Sequence, residues 1–162
     1  MEGASVDIAA LLQSGFRYAM SLTHDTHRAE DVLQDAWLAV MQADGPHSRS
    51  YLFSAIRSRF LNANRREKLA LIVSIDEQGE IAQDAFCDER LPDINSELLA
   101  RAIAELRSVE REVLFLMVVE GYTAQEVADL TDRPRGTVLS LLHRGKRKIR
   151  YYVEQKKAGV AS

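Results

Sequence analysis

Two stretches of this 162-residue chain concentrate side chains able to hold a polyanion. In Arg49 to Lys68, Arg57, Arg59, Asn62, Asn64, Arg65 and Arg66 place donors between apolar positions, with six basic residues against one acidic. Guanidinium and ammonium groups neutralise phosphates, and amides or aromatic rings near them bond to or stack on unpaired bases. In Arg135 to Ser162 the balance is eight basic to one acidic, with Arg144, Lys146, Arg147, Lys148 and Arg150 close together. The carboxylates suggest no catalysis. Glu30, Asp31, Gln34 and Asp35 crowd one helix face without a His or a second carboxylate pair in register, which describes a solvated or protein-docking face. His24 and His27 flank a turn, and the lone Cys87 has no Cys or His at metal-ligand spacing, so it reads as a free thiol. No metal, cofactor or enzymatic activity is expected.

The second basic stretch belongs to a recognisable frame. Thr123 and Glu126 have capping-box spacing, so a short helix is expected from Ala124, with Val127, Ala128 and Leu130 inward. Thr131 to Pro134 interrupt it, because proline restrains the preceding residue and cannot continue a helix interior. A second helix restarts near Arg135 with Val138, Leu141, Leu142 and Ile149 at helical spacing. This is a helix-turn-helix: one helix braces, the next enters a major groove. Ala128 at the crossing, Gly136 and Thr137 opening the second helix and the basic cluster at its end favour DNA binding over a plain helical hairpin.

The remaining elements are also helical. Val6 to Leu22 presents Ile8, Leu11, Leu12, Phe16, Ala19, Met20 and Leu22 as one stripe, and after a break at Thr23 to Thr26 a second helix is expected from His27 to Ala43. Its stripe is Ala29, Val32, Leu33, Ala36, Trp37, Val40 and Met41; Asp44, Gly45 and Pro46 end it. The basic segment from Arg49 to Lys68 forms a third helix on Tyr51, Leu52, Ala55, Ile56, Phe60 and Leu61. Asp76 to Asn95 holds seven acidic residues, Gly79 and Pro92 with little periodicity, which describes a linker. Helix resumes after Ser96, read as an N-cap, on Leu98, Leu99, Ala102, Ile103 and Leu106. Ser108 is read as the cap of another helix, in which Val109, Val113, Leu114, Leu116, Met117 and Val118 pack before Gly121 ends it.

The expected fold is all-α, with two small helical domains joined by an acidic linker and the helix-turn-helix in the second. The boundaries are 1–68, a linker at 69–96, 97–153 and a flexible tail at 154–162. Net charge is −3, but basic blocks alternate with acidic ones, as suits a chain that meets polyanion at two places and protein at others. No apolar run reaches the length of a membrane span and no secretory pattern opens the sequence, so a cytoplasmic protein without membrane insertion is expected.

Three stretches in this order resemble the sigma-70 family of bacterial transcription initiation factors, specifically the small two-domain extracytoplasmic function group. AEDVLQDAWL, Ala29 to Leu38, looks like the polymerase-docking helix, and YLFSAIRSRFLNANRR, Tyr51 to Arg66, is similar to the promoter-melting segment. LRSVEREVLFLMVVEGYTAQEVADLTDRPRGTVLSLLHRGKRKIR looks like the C-terminal domain, and the resemblance runs from about residue 8 to residue 152.

The resemblance implies a non-enzymatic subunit that binds RNA polymerase core through Asp31, Gln34 and Asp35. It implies that Arg57, Ser58, Asn62, Arg65 and Arg66 hold the melted minus-ten strand, with Asp44 to Ser48 near a flipped base. On the minus-35 element of promoter DNA it implies Arg135, Thr137, Ser140, His143 and Arg144, with Lys146, Arg147 and Lys148 on phosphates, and it implies control by an anti-sigma factor. The chain departs from the family pattern at Ser58, where Asn is favoured, and at Asn62, where Asp is. Arg135 replaces an acidic or polar residue, and Leu139 and Leu141 replace basic ones. Exposed leucines there would instead mark a protein-binding surface, which keeps open a sigma-like adaptor that binds an anti-sigma factor without reading promoters. A polymerase-independent helix-turn-helix regulator is the other alternative, and it leaves the first domain unexplained.

Overall fold

The computed structural model describes residues 5–71 and 95–160, and among these it contains seven α-helices and no strand. The chain divides into two compact units, Met1–Gly79 and Glu80–Ser162. Cys87 and most of the expected acidic linker lie outside the described residues.

The first unit packs α1 (Ile8–Thr23), α2 (Thr26–Gln42) and α3 (Arg49–Leu71) against one another. Aspartates start the first two helices: Asp7 accepts from the Ala10 N–H at 3.2 Å and Asp25 from the Arg28 N–H at 2.9 Å. Between them His24 takes a left-handed conformation and donates its backbone N–H to the Met20 carbonyl. The buried stripe of α1 is Leu11, Gly15, Tyr18, Ala19 and Leu22, which corrects the expected inward Ile8, an exposed residue. Gly15 is the reason. A Cβ there would lie 2.9 Å from Leu52, 3.0 Å from Leu33 and 3.2 Å from Ile56, so the helix closes on both neighbours and turns Tyr18 inward. The Tyr18 ring stacks on Phe53 at 4.6 Å.

The second unit holds α4 (Ser96–Ala104), α5 (Ser108–Leu114), a π-helical segment (Phe115–Val119), α6 (Ala124–Thr131) and α7 (Arg135–Val160). Its core joins Ala102, Leu106, Leu114, Ile149 and Val153, with Leu98, Leu99, Ile103, Leu142 and Tyr152 around them. Both expected serine caps shift by one residue. Asn95 caps α4, accepting from the Leu98 N–H at 2.8 Å, and Arg107 is the N-cap of α5, its N–H bonded to the Glu110 carboxylate at 2.9 Å. The π-turn, in which the Glu120 N–H reaches the Phe115 carbonyl at 3.0 Å, rotates Val118 and Val119 to the surface, where Val118 had been expected to pack. Gly121 follows at φ +74, in the left-handed region that glycine tolerates.

The helix-turn-helix lies where the capping box and proline place it. Thr123 Oγ1 accepts from the Glu126 N–H at 3.1 Å and Glu126 accepts from the Thr123 N–H at 3.3 Å. Asp132, left-handed at φ 54, ends α6, and Val138 donates to the Pro134 carbonyl at 3.2 Å in the first turn of α7. α7 continues to Val160, past Val153, its last buried residue. The expected tail therefore begins inside a helix, whose Glu154, Gln155, Lys156, Lys157 and Ala158 are all good helix formers.

Candidate nucleic-acid interface

In the first unit, α3 is amphipathic. Leu52, Phe53, Ile56 and Phe60 are buried, and Ser54, Ser58, Leu61, Asn62, Arg65 and Arg66 are exposed. The spacing of Ser54, Ser58, Leu61, Asn62 and Arg65 sets them in one row about 17 Å long at the rise of a helix. Arg57 lies half-buried at the edge of the row. Asn64, read as one of the donors, accepts from Arg28 at 3.2 Å through its side-chain oxygen, and Arg28 also pairs with Glu67 at 3.3 Å, fastening the start of α2 to the end of α3.

The loop before α3 is held close to it. Ser48 Oγ accepts from the Tyr51 N–H at 3.2 Å, Gly45 lies where any Cβ would overlap the Tyr51 ring, and the His47 ring sits 5.3 Å from Trp37. Asp44 adopts a left-handed conformation at φ 50, turning the chain out of α2. The loop is thereby positioned at the N-terminal end of the polar row.

On α2, Asp31, Gln34 and Asp35 are exposed as expected, but the face is longer than those three. Leu38 and Met41 continue it at helical spacing and are 57% and 54% exposed. Met41 had been expected on the inward stripe; with Val32, Ala36 and Val40 buried, its phase carries it outward. An acidic start followed by bare apolar side chains suits a protein surface better than a polyanion.

In the second unit, Val138, Leu141, Gly145 and Ile149 form the buried side of α7, and Gly136, Ser140, His143 and Arg147 lie opposite. Arg135 is exposed, while Thr137, Arg144 and Lys146 are half-buried on the flanks. Leu141 is only 7% exposed and Leu139 is half-buried, so the two leucines do not make the bare apolar surface that would recruit a protein. Leu141 is part of the core.

Two carboxylates on α5 were not legible as partners of this helix. Glu110 and Glu112 are 1% and 2% exposed. Glu112 pairs with Arg133, in the turn before α7, at 3.1 Å, and Glu110 accepts from Lys148 at 2.7 Å. Lys148, expected on a phosphate, is thus engaged within the unit. Burial lowers the pKa of nearby Arg111, with Glu110 opposing the shift, and its guanidinium donates to the Leu106 carbonyl. Among the described residues no group of His, Cys, Asp and Glu could hold a metal ion, and no helix is long and apolar enough to cross a membrane.

The chain matches two family models in order: sigma-70 region 2 over residues 8–69 and sigma-70 region 4 over residues 96–149. It is 26% identical to the extracytoplasmic function RNA polymerase sigma factor SigL of Mycobacterium tuberculosis, over 96% of each chain. With the corresponding factor SigM of Bacillus subtilis it shares 25% identity over 83% of this chain and 85% of that one. A similar fold occurs in the sigma factor RpoE of Bartonella quintana, solved in complex with the anti-sigma factor NepR, at a TM-score of 0.69 and 19% identity, covering 91% and 94% of the two chains. With both regions matched in order over most of its length, the chain belongs to the sigma-70 family of RNA polymerase sigma factors, in its extracytoplasmic function group.

Proposed function

We propose that this protein is a promoter-specificity subunit, which brings RNA polymerase core to particular promoters from within the cytoplasm and starts transcription there. The observation that carries the reading is the pairing, in family order, of a three-helix unit that exposes Ser58, Asn62, Arg65 and Arg66 on its third helix with a unit bearing a helix-turn-helix. Asp31, Gln34 and Asp35 dock on the polymerase, and Leu38 and Met41 extend that contact because they continue the same exposed face. Arg57, Ser58, Asn62, Arg65 and Arg66 hold the unpaired minus-ten strand: cations follow the phosphates, and the smaller polar groups meet bases between them. Arg135, Thr137, Ser140, His143 and Arg144 read the minus-35 duplex from α7, with Lys146 and Arg147 on phosphates. Bond formation belongs to the polymerase, and no catalytic step is assigned to this chain.

An anti-sigma factor restrains the protein in this reading. The support is the Bartonella relative of similar fold, whose structure holds one. The burial of Leu141 removes the main reason for preferring an adaptor that does not read promoters. Run-off transcription with purified core polymerase on a genomic promoter library tests the whole reading. Discrete start sites that share two spaced elements and appear only with this protein are expected; their absence, with core binding intact, would refute promoter recognition.

A further inference from the structure

We propose that Lys148 is a positioning residue for the recognition helix, acting through the buried Glu110 instead of through a DNA phosphate. The inference rests on the reading of α7 as the duplex-binding helix. One oxygen of Glu110 receives both the backbone N–H of Arg107 at 2.9 Å and the Lys148 ammonium at 2.7 Å. The carboxylate that caps α5 therefore also fastens α7. It is 1% exposed, so losing the ammonium takes its cation from a buried carboxylate.

The fastening lies beside a close approach of the two helices. A Cβ on Gly145 would stand 2.8 Å from Leu114 Cδ1 and 3.8 Å from Glu110 Cβ, so the absence of a side chain at 145 lets α7 lie against α5 and puts Glu110 within reach of the lysine. Of the residues read as facing duplex, Arg135, Thr137 and Ser140 lie five to ten positions before Gly145 on α7, roughly 8–15 Å away at the rise of a helix. A tilt of about 5° at the crossing moves that end by about 1 Å, enough to misalign a hydrogen bond whose tolerance is a few tenths of an ångström. Lys148 thus governs base contacts it does not make.

The test uses holoenzyme on a promoter duplex recovered by the run-off assay, with binding measured against salt at a temperature where circular dichroism shows each variant folded. Lys148→Met should weaken binding by roughly tenfold, the loss of one well-aligned base contact, without changing the slope of log affinity against log salt. Adding Glu110→Gln, which keeps an acceptor for the Arg107 N–H but removes the charge that has lost its ammonium, should restore affinity to within about threefold of the parent. A phosphate contact predicts otherwise: a slope shallower by about 0.9 and no rescue from Glu110. That result overturns the proposal, as does parental affinity in folded Lys148→Met, which would make the pair merely structural. If Lys148→Met does not fold, Lys148→Gln, which keeps a donor toward Glu110, replaces it and should bind like the parent with the parental slope; a shallower slope again overturns the proposal. Absence of any promoter dependent on this protein would instead refute the proposed function, and this inference with it.

Discussion

Replacing Arg133 by methionine measures what a buried carboxylate loses with this cation. The Arg133 guanidinium lies 3.1 Å from Glu112, with side chains 20% and 2% exposed. At an effective dielectric constant near 20, unit charges at that distance attract by about 5 kcal/mol. Desolvating both groups opposes most of this, so an intact pair of this kind differs little from an apolar pair of equal volume. Removing the cation alone does not preserve that balance, because Glu112 stays desolvated while losing this compensation. For fully buried pairs the loss reaches about 3–5 kcal/mol, and the water access that Arg133 retains lowers the expectation to about 2–3 kcal/mol. In a unit of this size that corresponds to a fall of roughly 10–20 °C in its melting temperature. Far-UV circular dichroism should report the shift, while fluorescence of Trp37, the only tryptophan and a residue of α2, follows the first unit and should not move. Adding Glu112→Gln should recover all but about 1 kcal/mol, since a neutral amide costs far less to keep buried than a charge. A loss below about 1 kcal/mol, or a double variant no more stable than the single, would refute the reasoning.

Other consequences follow from the same contacts. Arg65→Ala with Arg66→Ala should slow open-complex formation, read by permanganate reactivity, by tenfold or more at about 1.4 kcal/mol per decade while leaving core binding unchanged; equal loss of both would make α3 purely structural. Asp31→Lys with Asp35→Lys should abolish association with polymerase core in a pull-down while the helical content stays at the parental level. Leu38→Ser should weaken the same association by roughly 10- to 100-fold, the value of burying one leucine, and an unchanged affinity would exclude it from the docking face. Gly121→Ala should destabilise the second unit to urea by about 1–2 kcal/mol, because nothing lies within 4 Å of a Cβ there and the strain of φ +74 is the main term.

The parts of the fold that were legible are those whose signal is local. Thr123 and Glu126 meet each other's backbone within one turn, and Pro134 stops one helix and admits the next, so α6 and the start of α7 fall at the expected residues. Asn95 and Arg107 cap their helices one residue before the serines that the sequence suggests, a shift of the size by which helix ends commonly vary. The inward face of α1 was less legible. Ile8 adds a side chain to an apolar stripe and Gly15 adds none, although a glycine at a three-helix junction decides which face can approach. Met41 differs from expectation for a related reason: a stripe that includes Trp37 is wider than the face buried by Val32, Ala36 and Val40.

The candidate site shows the same division between local and distant information. Basic character at Arg65, Arg66 and Arg147 could be read residue by residue, and all three are exposed. The destination of Lys148 could not, because its carboxylate is 38 positions earlier and looks, in sequence, like one more charge on a helix surface. The available signal was the spacing of Arg107 and Glu110, since a carboxylate three residues into a helix whose neighbours Val113 and Leu114 are core is well placed to be buried with them. Once such a carboxylate is buried it must take a cation from somewhere, and the basic block of α7 is its source. The charge of a recognition helix therefore overstates its grip on DNA: of eight cations from Arg135 onward, one is engaged by Glu110, and Lys156 and Lys157 lie beyond the last buried turn. Counterion release on binding should be correspondingly smaller than the count of basic residues suggests.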